Sequence, residues 1–249
     1  MTDIDAGIPI VPAPWTLTGV TSWTFLCSPL NPQVSLPRGW AAPNEADALS
    51  DGTFVGGPSG IMVVRYGASP AGPYDELIYI PGRWKDANGK TGFRISRIYV
   101  STLVSVENGR KNWNIPKHLA NFDFVQEGKQ TRLSVKLPES TEPFFDALFS
   151  PLPTLFALPA STSILGQYMQ VIQPPLPASP DERGVIATTS HTAITPILKG
   201  SVKLASLKGN MSDGMLANGI DFPAVVPWRF GFQMLDGTTE FGLPEVYSP

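Results

Sequence analysis

The chain has 249 residues with a formal net charge of −3, and charged residues make up 16% of it. That fraction is below the roughly 25% of a typical globular protein. No stretch is rich in lysine or arginine, so no nucleic acid partner is expected. No run of about 18 apolar residues occurs, so no membrane-spanning helix and no membrane partner are predicted. The N-terminal sequence lacks a basic segment followed by a long apolar one, and a soluble cytoplasmic protein is predicted.

Turn-forming residues are abundant, with 26 prolines and 23 glycines, so many turns and few long helices are expected. Hydrophobic residues make up 42% of the chain. With so little charge, we expect much apolar surface to be covered by a ligand or a partner subunit. A chain of this length can also enclose an internal pocket. The single cysteine, Cys27, lies in the apolar run W-T-F-L-C and is predicted to be a small buried hydrophobic residue.

The first part of the chain is predicted to consist of an arm and separated strands. Residues 1–15 contain prolines and predict an extended N-terminal arm. Residues 17–27 and 61–66 are rich in β-branched and aromatic residues, which is typical of strands. Prolines and glycines break the chain between them, with one short helix near 45–49. The run E-L-I-Y-I at 76–80 predicts a further strand.

A hairpin turn, D-A-N-G-K, precedes the run G-F-R-I-S-R-I-Y-V at 92–100. Side chains alternate between the two faces of a strand. If 92–100 is one continuous strand, one of its faces carries Phe93, Ile95, Arg97 and Tyr99.

A helix follows, capped by Ser101 and running to about Arg110, and Pro116 stops its continuation. The runs F-D-F-V and R-L-S-V-K-L predict a hairpin of two strands. Further strands are predicted around Y-M-Q-V-I-Q, at 201–208 and at 228–235. No repeat and no dividing linker are apparent, so we expect one mostly β domain of the α+β type with a few short helices.

The segment 138–166 is apolar, aromatic and broken by prolines. One short helix is predicted near 142–149. The aromatic part from Phe144 to Leu158 is consistent with a pocket lid, a subunit contact or a membrane-touching patch. The last is the least favoured because basic residues are few.

Three motifs arrive in order with short spacings: G-P-Y-D-E-L-I, R-I-Y-V and G-R-K-N-W-N-I-P-K-H-L-A. Together they resemble the acetoacetate decarboxylase family, whose members carry a Tyr-x-Glu element, a helix ending in Gly-Arg and a Pro-Lys-Lys-Leu element. The match is clear over residues 61–124. The resemblance implies a cone-shaped antiparallel β-barrel around a dry pocket, spanning 16–249 as a single domain with flanking strands, and assembled into homo-oligomers.

The resemblance makes Lys117 the amine that condenses with a substrate ketone. A free lysine has a pKa near 10.4, so the amine must lose its charge before it attacks. Burial in an apolar pocket favours the neutral form, and this is the established device of acetoacetate decarboxylase itself. The alternative from composition alone is a solvated loop lysine.

Two further residues are candidate catalytic groups. Glu76 matches the glutamate of the Tyr-x-Glu element and could orient the amine or move a proton, unless it is an exposed turn acid. His118 stands where the family has its second lysine. Imidazole has a pKa near 6.5, so it is a weaker source of positive charge, but it can donate or accept a proton. The alternative for His118 is a partly buried structural histidine.

The sequence departs from the family at other polar positions. Gly67 stands where the family has a glutamate, and the N-terminal strand W-T-L-T-G-V-T-S-W-T-F has no arginine. Arg97, on the face shared with Tyr99, is a candidate replacement for holding a substrate carboxylate, unless it points outward. Trp113 and Trp23 are candidates for lining the pocket together with Tyr99, and core packing is the equally simple alternative.

These residues predict a lyase that acts on a fairly apolar keto compound through a lysine imine. Decarboxylation of a β-keto acid, or a related aldol or dehydration step, in specialised metabolism is the leading interpretation. One alternative is a cavity enzyme that promotes cyclisation or rearrangement without an imine, using His118 and Glu76. Another is a non-catalytic binder of small apolar ligands. No metal-spaced cluster and no phosphate loop are present, so no cofactor and no metal are expected.

Overall fold

Strands dominate the computed structural model, which describes residues 7–153 and 156–249. The first group of strands is β1 (Trp15–Leu30), β2 (Thr53–Tyr66), β3 (Tyr74–Ile80), β4 (Arg83–Lys85), β5 (Thr91–Phe93), β6 (Arg97–Val100), β7 (Lys117–Leu119) and β8 (Asn121–Glu127). The second group is β9 (Gln130–Lys136), β10 (Phe145–Pro151), β11 (Leu158–Ser161), β12 (Val171–Gln173), β13 (His191–Ile194), β14 (Ile197–Gly209), β15 (Phe230–Phe241) and β16 (Glu245–Tyr247). The helices are α1 (Ala46–Leu49), α2 (Leu103–Trp113) and a 3₁₀ helix, Thr162–Met169.

The described strands form one large mixed sheet. Its centre is the antiparallel series β2, β1, β15 and β14. Strand β2 then divides the sheet, because its first half pairs with β4 and its second half with β3. The hydrogen-bonded path runs from β16 at one end to β8 at the other and does not close on itself. The predicted closed, cone-shaped barrel is therefore not confirmed, whereas the mostly β class is.

Strands β3, β6 and β7 form the part of the sheet that carries the candidate site. Strand β6 pairs antiparallel with β3, and β7 pairs parallel with β6. A parallel neighbour requires a crossover connection, and α2 provides it. Both faces of this region are buried: one faces a hydrophobic cluster that includes Val64, Ile78 and Ile98, and the other faces a cluster that includes Tyr79 and Tyr99.

Helix α2 is longer than predicted. The Thr102 side chain, rather than that of Ser101, caps its N-terminus by accepting a hydrogen bond from the backbone of Ser105. The helix continues past Arg110 to Trp113 and ends where Asn114 adopts a left-handed conformation with φ 53°. Pro116 follows, as the predicted stop requires.

The predicted helix near 142–149 is wrong, because the chain forms strand β10 there. Strand β10 pairs on one side with β9 and on the other with β14. Phe145, Ala147 and Phe149 point to the core with the period of a strand. A short apolar run is compatible with either structure, and here two neighbouring strands satisfy its backbone hydrogen bonds.

The predicted continuous strand at 92–100 is also wrong, since β5 and β6 are separated by residues 94–96. The Arg94 side chain turns inward and donates to the backbone carbonyls of Leu49 and Asp51. Ser96 Oγ donates to the carbonyl of Trp40. This interruption places Phe93 and Ile95 on one side of the sheet, and Arg97 and Tyr99 on the other.

The aromatic segment from Phe144 to Leu158 divides into two parts, and residues 154–155 within it lie outside the described residues. Phe144 and Phe149 are buried in the core. Phe156 and Leu158 are 78% and 65% exposed. The first part therefore serves core packing, and only the second part is available to a partner.

The remaining short-range predictions agree with the structure. The hairpin formed by β8 and β9, helix α1, and the burial of Cys27 are all as expected. Residues 7–14 of the predicted arm lie along α2, where Asn108 Oδ1 accepts from the backbone of Val11 at 2.7 Å; residues 1–6 lie outside the described part. Across residues 7–153 and 156–249, no helix combines the length and apolar character needed to cross a membrane.

Candidate active site

Lys117 begins β7 and is almost completely buried, with 3% of its surface exposed. Its Nζ donates to Glu76 Oε1 at 2.6 Å and to Ser105 Oγ at 2.9 Å. The ammonium also lies 5.0 Å from the centre of the Tyr74 ring, where a cation interacts favourably with the aromatic face. The alternative of a solvated loop lysine is thus excluded, because the side chain is held inside the fold.

The β-sheet register brings Lys117 and Glu76 together. In the sheet, Lys117 is paired with Ile98 on β6, and Glu76 is paired with Val100 on the same strand. Residues two apart on a strand point to the same face, so the amine and the carboxylate converge there. Tyr66 donates its phenolic hydrogen to Glu76 Oε2 at 3.0 Å. Both oxygens of the carboxylate are therefore occupied, one by the lysine and one by the tyrosine.

The two tyrosines at this site remain protonated phenols. Burial raises the pKa of Tyr66 well above its usual value, and the neighbouring Glu76 carboxylate raises it further. The pKa of Tyr74 is raised for the same two reasons. A protonated Tyr66 keeps its donor directed at Glu76.

Gly109 of α2 leaves space for the lysine side chain. A Cβ at this position would lie 2.5 Å from Lys117 Cδ and 2.8 Å from Cε, which is closer than real Cβ contacts. Gly109 is one helical turn after Ser105, so the two residues share a face of α2. That face therefore supplies both the clearance and a hydrogen-bond partner for Lys117.

Glu76 and Tyr66 are among the residues that line a mostly apolar cavity of about 90 Å³. Apart from Glu76, the residues around it carry no charge. Thr239 also lines the cavity, and its buried hydroxyl has no hydrogen-bond partner within the described ranges. The apolar wall includes Met62, Val64, Ile78, Phe93, Ile95 and Phe241.

His118 lies on the opposite face of the sheet from Lys117. Its Nδ1 is 2.7 Å from Glu182 Oε2, and its Nε2 is 3.0 Å from Glu45 Oε2. Burial disfavours the imidazolium, but hydrogen bonds and charges from Glu182 and Glu45 outweigh it and raise the pKa of His118 above its usual value. Only the imidazolium can donate from both ring nitrogens, so this geometry fits the charged form.

The arginine of the Gly-Arg motif supports this histidine. Arg110 Nη1 donates to Glu45 Oε1 at 2.5 Å, and both side chains are fully buried. The guanidinium also donates to the carbonyls of Ile186 and Pro177. Arg110 therefore neutralises Glu45 and fastens the loop 174–190 to α2.

The predicted substrate-binding residues lie elsewhere. Arg97 and Tyr99 share the face of His118 and do not reach the apolar cavity, because the break at 94–96 changes the direction of the strand. Trp23 packs on Phe149 in the core cluster of that same face, with ring centres 5.0 Å apart. Trp113 packs edge-on against Trp15 at 5.1 Å and donates from Nε1 to a backbone carbonyl. Neither tryptophan lines the cavity, so their positions fit the core-packing alternative.

Four contributors to the site were not found from the sequence. Ser105 and Gly109 carry a weak signal, since their spacing of four residues places them on one helical face. Tyr66 and Thr239 carry none in their local pattern. The pairing of β2 with β3 brings Tyr66 to Glu76, and Thr239 reaches the cavity from β15, far along the chain.

Comparison with known proteins identifies the fold of the chain through similar solved structures. No family model matches the chain, and no curated protein matches it by sequence. Among solved structures, acetoacetate decarboxylase from Legionella pneumophila is similar over 99% of this chain and 94% of its own, with a TM-score of 0.61 and 11% identity. The chain has the acetoacetate decarboxylase-like fold.

Two further structures share the acetoacetate decarboxylase-like fold. The enduracididine biosynthesis enzyme MppR, solved with the condensation product of pyruvate and imidazole 4-carboxaldehyde, is 13% identical with a TM-score of 0.56, covering 96% of this chain and 91% of its own. An acetoacetate decarboxylase-like enzyme from Sphingomonas wittichii RW1 is 10% identical with a TM-score of 0.55, covering 94% and 92%. At such low identities the similarity shows the fold alone, and these neighbours are enzymes.

Proposed function

We propose that the protein is a lyase that acts on a fairly apolar keto compound through an imine on Lys117. The observation that carries this proposal is the buried amine held 2.6 Å from a carboxylate that borders an apolar cavity. Lysine is the nucleophile that condenses with ketones, and Glu76 is placed to exchange a proton with it. The fold of the neighbouring enzymes supports an enzyme rather than a structural protein.

The first step needs a neutral amine. The proton on Nζ passes along the hydrogen bond to Glu76, and the freed electron pair attacks the carbonyl carbon of the substrate. The carbonyl oxygen takes up a proton from the attacking nitrogen, and the hydroxyl of the carbinolamine then leaves as water with the proton that Glu76 holds. The product is a cationic imine on Lys117, with Glu76 again a carboxylate.

The iminium nitrogen then accepts the electron pair of a breaking bond. From a β-keto acid, the bond to the carboxylate breaks, CO₂ leaves, and the enamine is protonated at carbon before hydrolysis releases the ketone. From a simple ketone, loss of an α-proton gives the same enamine, which can add to an aldehyde and lose water. Lys117 is regenerated in both cases, and no external oxidant or reductant is required.

The residues that line the cavity favour an uncharged ketone or aldehyde as substrate over a β-keto acid. Glu76 is its one charged residue among those described, and neither arginine nor histidine lines it. A substrate carboxylate would therefore lie near Glu76 without a guanidinium to compensate it, which is unfavourable at low dielectric. An uncharged ketone or aldehyde avoids this cost, and the unpartnered Thr239 hydroxyl can donate to its oxygen.

A second candidate is a cavity enzyme that works without an imine. Glu76 and Tyr66 border the cavity, whereas Lys117 lies behind the carboxylate and does not line it. In this case Glu76 acts as the acid or base for cyclisation or rearrangement. Lys117 then only influences the charge of Glu76 through their hydrogen bond. The two candidates differ in whether Lys117 becomes covalently modified.

Borohydride trapping separates them. The protein is incubated with 2-butanone, acetoacetate or pyruvate, reduced, digested and analysed by mass spectrometry. The proposal predicts an alkyl adduct on Lys117, strongest with 2-butanone and lost in Lys117→Met. A folded protein that turns over a ketone substrate without any adduct would favour the cavity enzyme, and the exposed Lys111 serves as an internal control for nonspecific labelling.

We also propose that the protein forms homo-oligomers. Strands β14 and β15 expose a set of large apolar side chains on one face of the sheet, namely Leu204, Phe230 and Phe232. Soluble monomers rarely expose large contiguous apolar patches, and such patches often mark protein–protein contacts. Sedimentation equilibrium of the wild type and of Phe232→Lys tests this, since only an interface on this face predicts dissociation of the variant.

A further inference from the structure

A second, polar pocket lies on the other face of the sheet from Lys117. Its volume is about 520 Å³, which is large enough for a small organic ligand. Arg97, Tyr99 and His118 line it from β6 and β7, whereas Ile98, between Arg97 and Tyr99, lines the apolar cavity. The two cavities are therefore separated by the sheet itself, and a ligand in one does not touch the reactive groups of the other.

Among the described residues that line this pocket, Arg97 carries a buried hydrogen-bond donor without an acceptor. The side chain is 6% exposed, and two of its three nitrogens are held: Nε donates to the carbonyl of Asp221 at 2.6 Å, and Nη2 donates to Tyr99 Oη at 2.5 Å. Nη1 is buried and has no acceptor in the described part of the chain. Buried guanidinium donors are almost always satisfied, because leaving one unpaired costs stability.

The contacts around Arg97 fix its orientation. Tyr99 Oη accepts from the guanidinium and donates to the same carbonyl of Asp221. A planar guanidinium held at two nitrogens cannot rotate freely, so its third nitrogen is a preorganised donor. Such a donor is suited to an anionic oxygen rather than to a neutral group.

One carboxylate of the protein already contacts the positively charged groups of this pocket. Glu182, on the loop 174–190, accepts from His118 and is 46% exposed. The hydrogen bond from His118 lowers the pKa of Glu182, with a further contribution from the charge of Arg97. The imidazolium of His118 and the guanidinium of Arg97 thus form a positively charged floor of the pocket, which already attracts the Glu182 carboxylate.

The other charged residues of the pocket limit the charge that a bound ligand can carry. Besides Arg97 and His118, the charged residues that line the pocket are Glu139, Asp181, Glu182, Arg183 and Asp221. Four of these are acids, which repel a dianion and tolerate an ammonium group. The charge distribution therefore fits a ligand with a single carboxylate, with or without a positive group.

We propose that this pocket binds a small monocarboxylate, whose oxygen accepts a hydrogen bond from Arg97 Nη1. The carboxylate lies beside the Tyr99 hydroxyl that holds Arg97, and the rest of the molecule extends toward Leu103. This site does not depend on the chemistry of Lys117, since the sheet separates the two.

Ligand-observed NMR titration with butyrate tests the proposal on the whole chain. Butyrate carries a carboxylate and no carbonyl that forms an imine, and butyramide is its neutral control. We expect butyrate to bind wild type and Lys117→Met equally, butyramide at least tenfold more weakly, and Arg97→Gln to weaken butyrate binding at least tenfold. 4-Aminobutyrate tests whether an ammonium group is tolerated as well.

A second variant keeps the test independent of the folding of Arg97→Gln. Leu103→Trp changes a partly exposed residue at the start of α2 and narrows the pocket without removing the guanidinium. It should weaken butyrate binding and leave trapping of ketones on Lys117 unchanged. Equal binding of butyrate by wild type and both variants, or no binding by folded wild type, would overturn the proposal.

Discussion

Lys117 and His118 are adjacent in the sequence, yet their side chains lie on opposite faces of β7 and belong to different hydrogen-bonded networks. Lys117 contacts Glu76 beside the apolar cavity, and His118 contacts Glu45 and Glu182 beside the polar pocket. The histidine therefore does not act on the lysine by direct contact. The charge of His118 instead stabilises a separate hydrogen-bonded network, which joins β7 to the loop 174–190.

Removal of the Glu76 carboxylate should slow imine formation. In Glu76→Gln, the amide cannot accept the proton of the lysine, and the loss of a positioned acid–base group typically costs about 10²–10⁴ in rate. The initial rate of borohydride trapping of 2-butanone on Lys117 measures this effect. Asp75→Asn, at the neighbouring, partly exposed residue, is the matched control. A Glu76→Gln rate equal to that of wild type would exclude Glu76 as the proton acceptor.

Gly109→Ala should displace the lysine without unfolding the helix. Alanine is favoured over glycine within a helix by about 1 kcal/mol, but its Cβ would lie 2.5 Å from Lys117 Cδ. The side chain must move away from Glu76, so trapping on Lys117 should fall at least tenfold while the circular dichroism spectrum is retained. Lys111→Ala, exposed on the same helix, should trap normally. Normal trapping by Gly109→Ala would show that the lysine is free to adjust.

Glu45→Gln should destabilise the fold. Glu45 is fully buried and neutralises Arg110 while accepting from His118. Removal of one partner of a buried ion pair leaves an uncompensated charge and costs about 3–5 kcal/mol. Urea denaturation measures the free energy of unfolding. Glu182→Gln should have a smaller effect, since that carboxylate is half exposed, and an equal loss in both variants would contradict the assigned roles.

The His118 network should make stability depend on pH. The pKa of His118 is raised in the folded state, so its contribution is fully present below the unfolded value near 6.5 and is lost as the pH rises through the folded value. The pKa of Glu45 is lowered, so its contribution is lost instead as the pH falls through that lowered value, below the usual 4.5. The difference in unfolding free energy between wild type and His118→Gln should therefore shrink on the alkaline side. A difference that does not vary with pH would indicate that His118 is neutral.

Thr239→Val should weaken substrate binding without lowering the stability of the fold. Valine has nearly the shape of threonine, and it removes a buried hydroxyl that has no described partner. An unsatisfied buried polar group costs about 1–3 kcal/mol, so the variant should be at least as stable as wild type in thermal unfolding. If the hydroxyl donates to the substrate oxygen, KM for a ketone should rise with little change in kcat. An unchanged KM would remove Thr239 from substrate recognition.

Local sequence features were sufficient where short-range chemistry decides the structure. The hairpin of β8 and β9 follows from alternation on both sides of a turn, and α2 follows from its cap and from Pro116. The Tyr-x-Glu and Pro-Lys elements correctly indicated that Glu76 and Lys117 belong together. The predictions for 142–149 and 92–100 failed because distant strands decide both regions. Strand β10 is stabilised by β9 and β14, and residues 94–96 leave the strand to bond with residues near α1.

The sequence by itself determined the β-rich class, the likeness to acetoacetate decarboxylase and the pairing of a lysine with a glutamate, because these depend on composition and on motifs within 61–124. The tertiary structure alone decided which face each side chain occupies. The interruption at 94–96 places Arg97 and Tyr99 on the face opposite Phe93 and Ile95. Alternation within β7 places His118 opposite Lys117. The same long-range packing left Arg97 Nη1 and the Thr239 hydroxyl without partners among the residues that the structure describes, and no local pattern in the sequence records that.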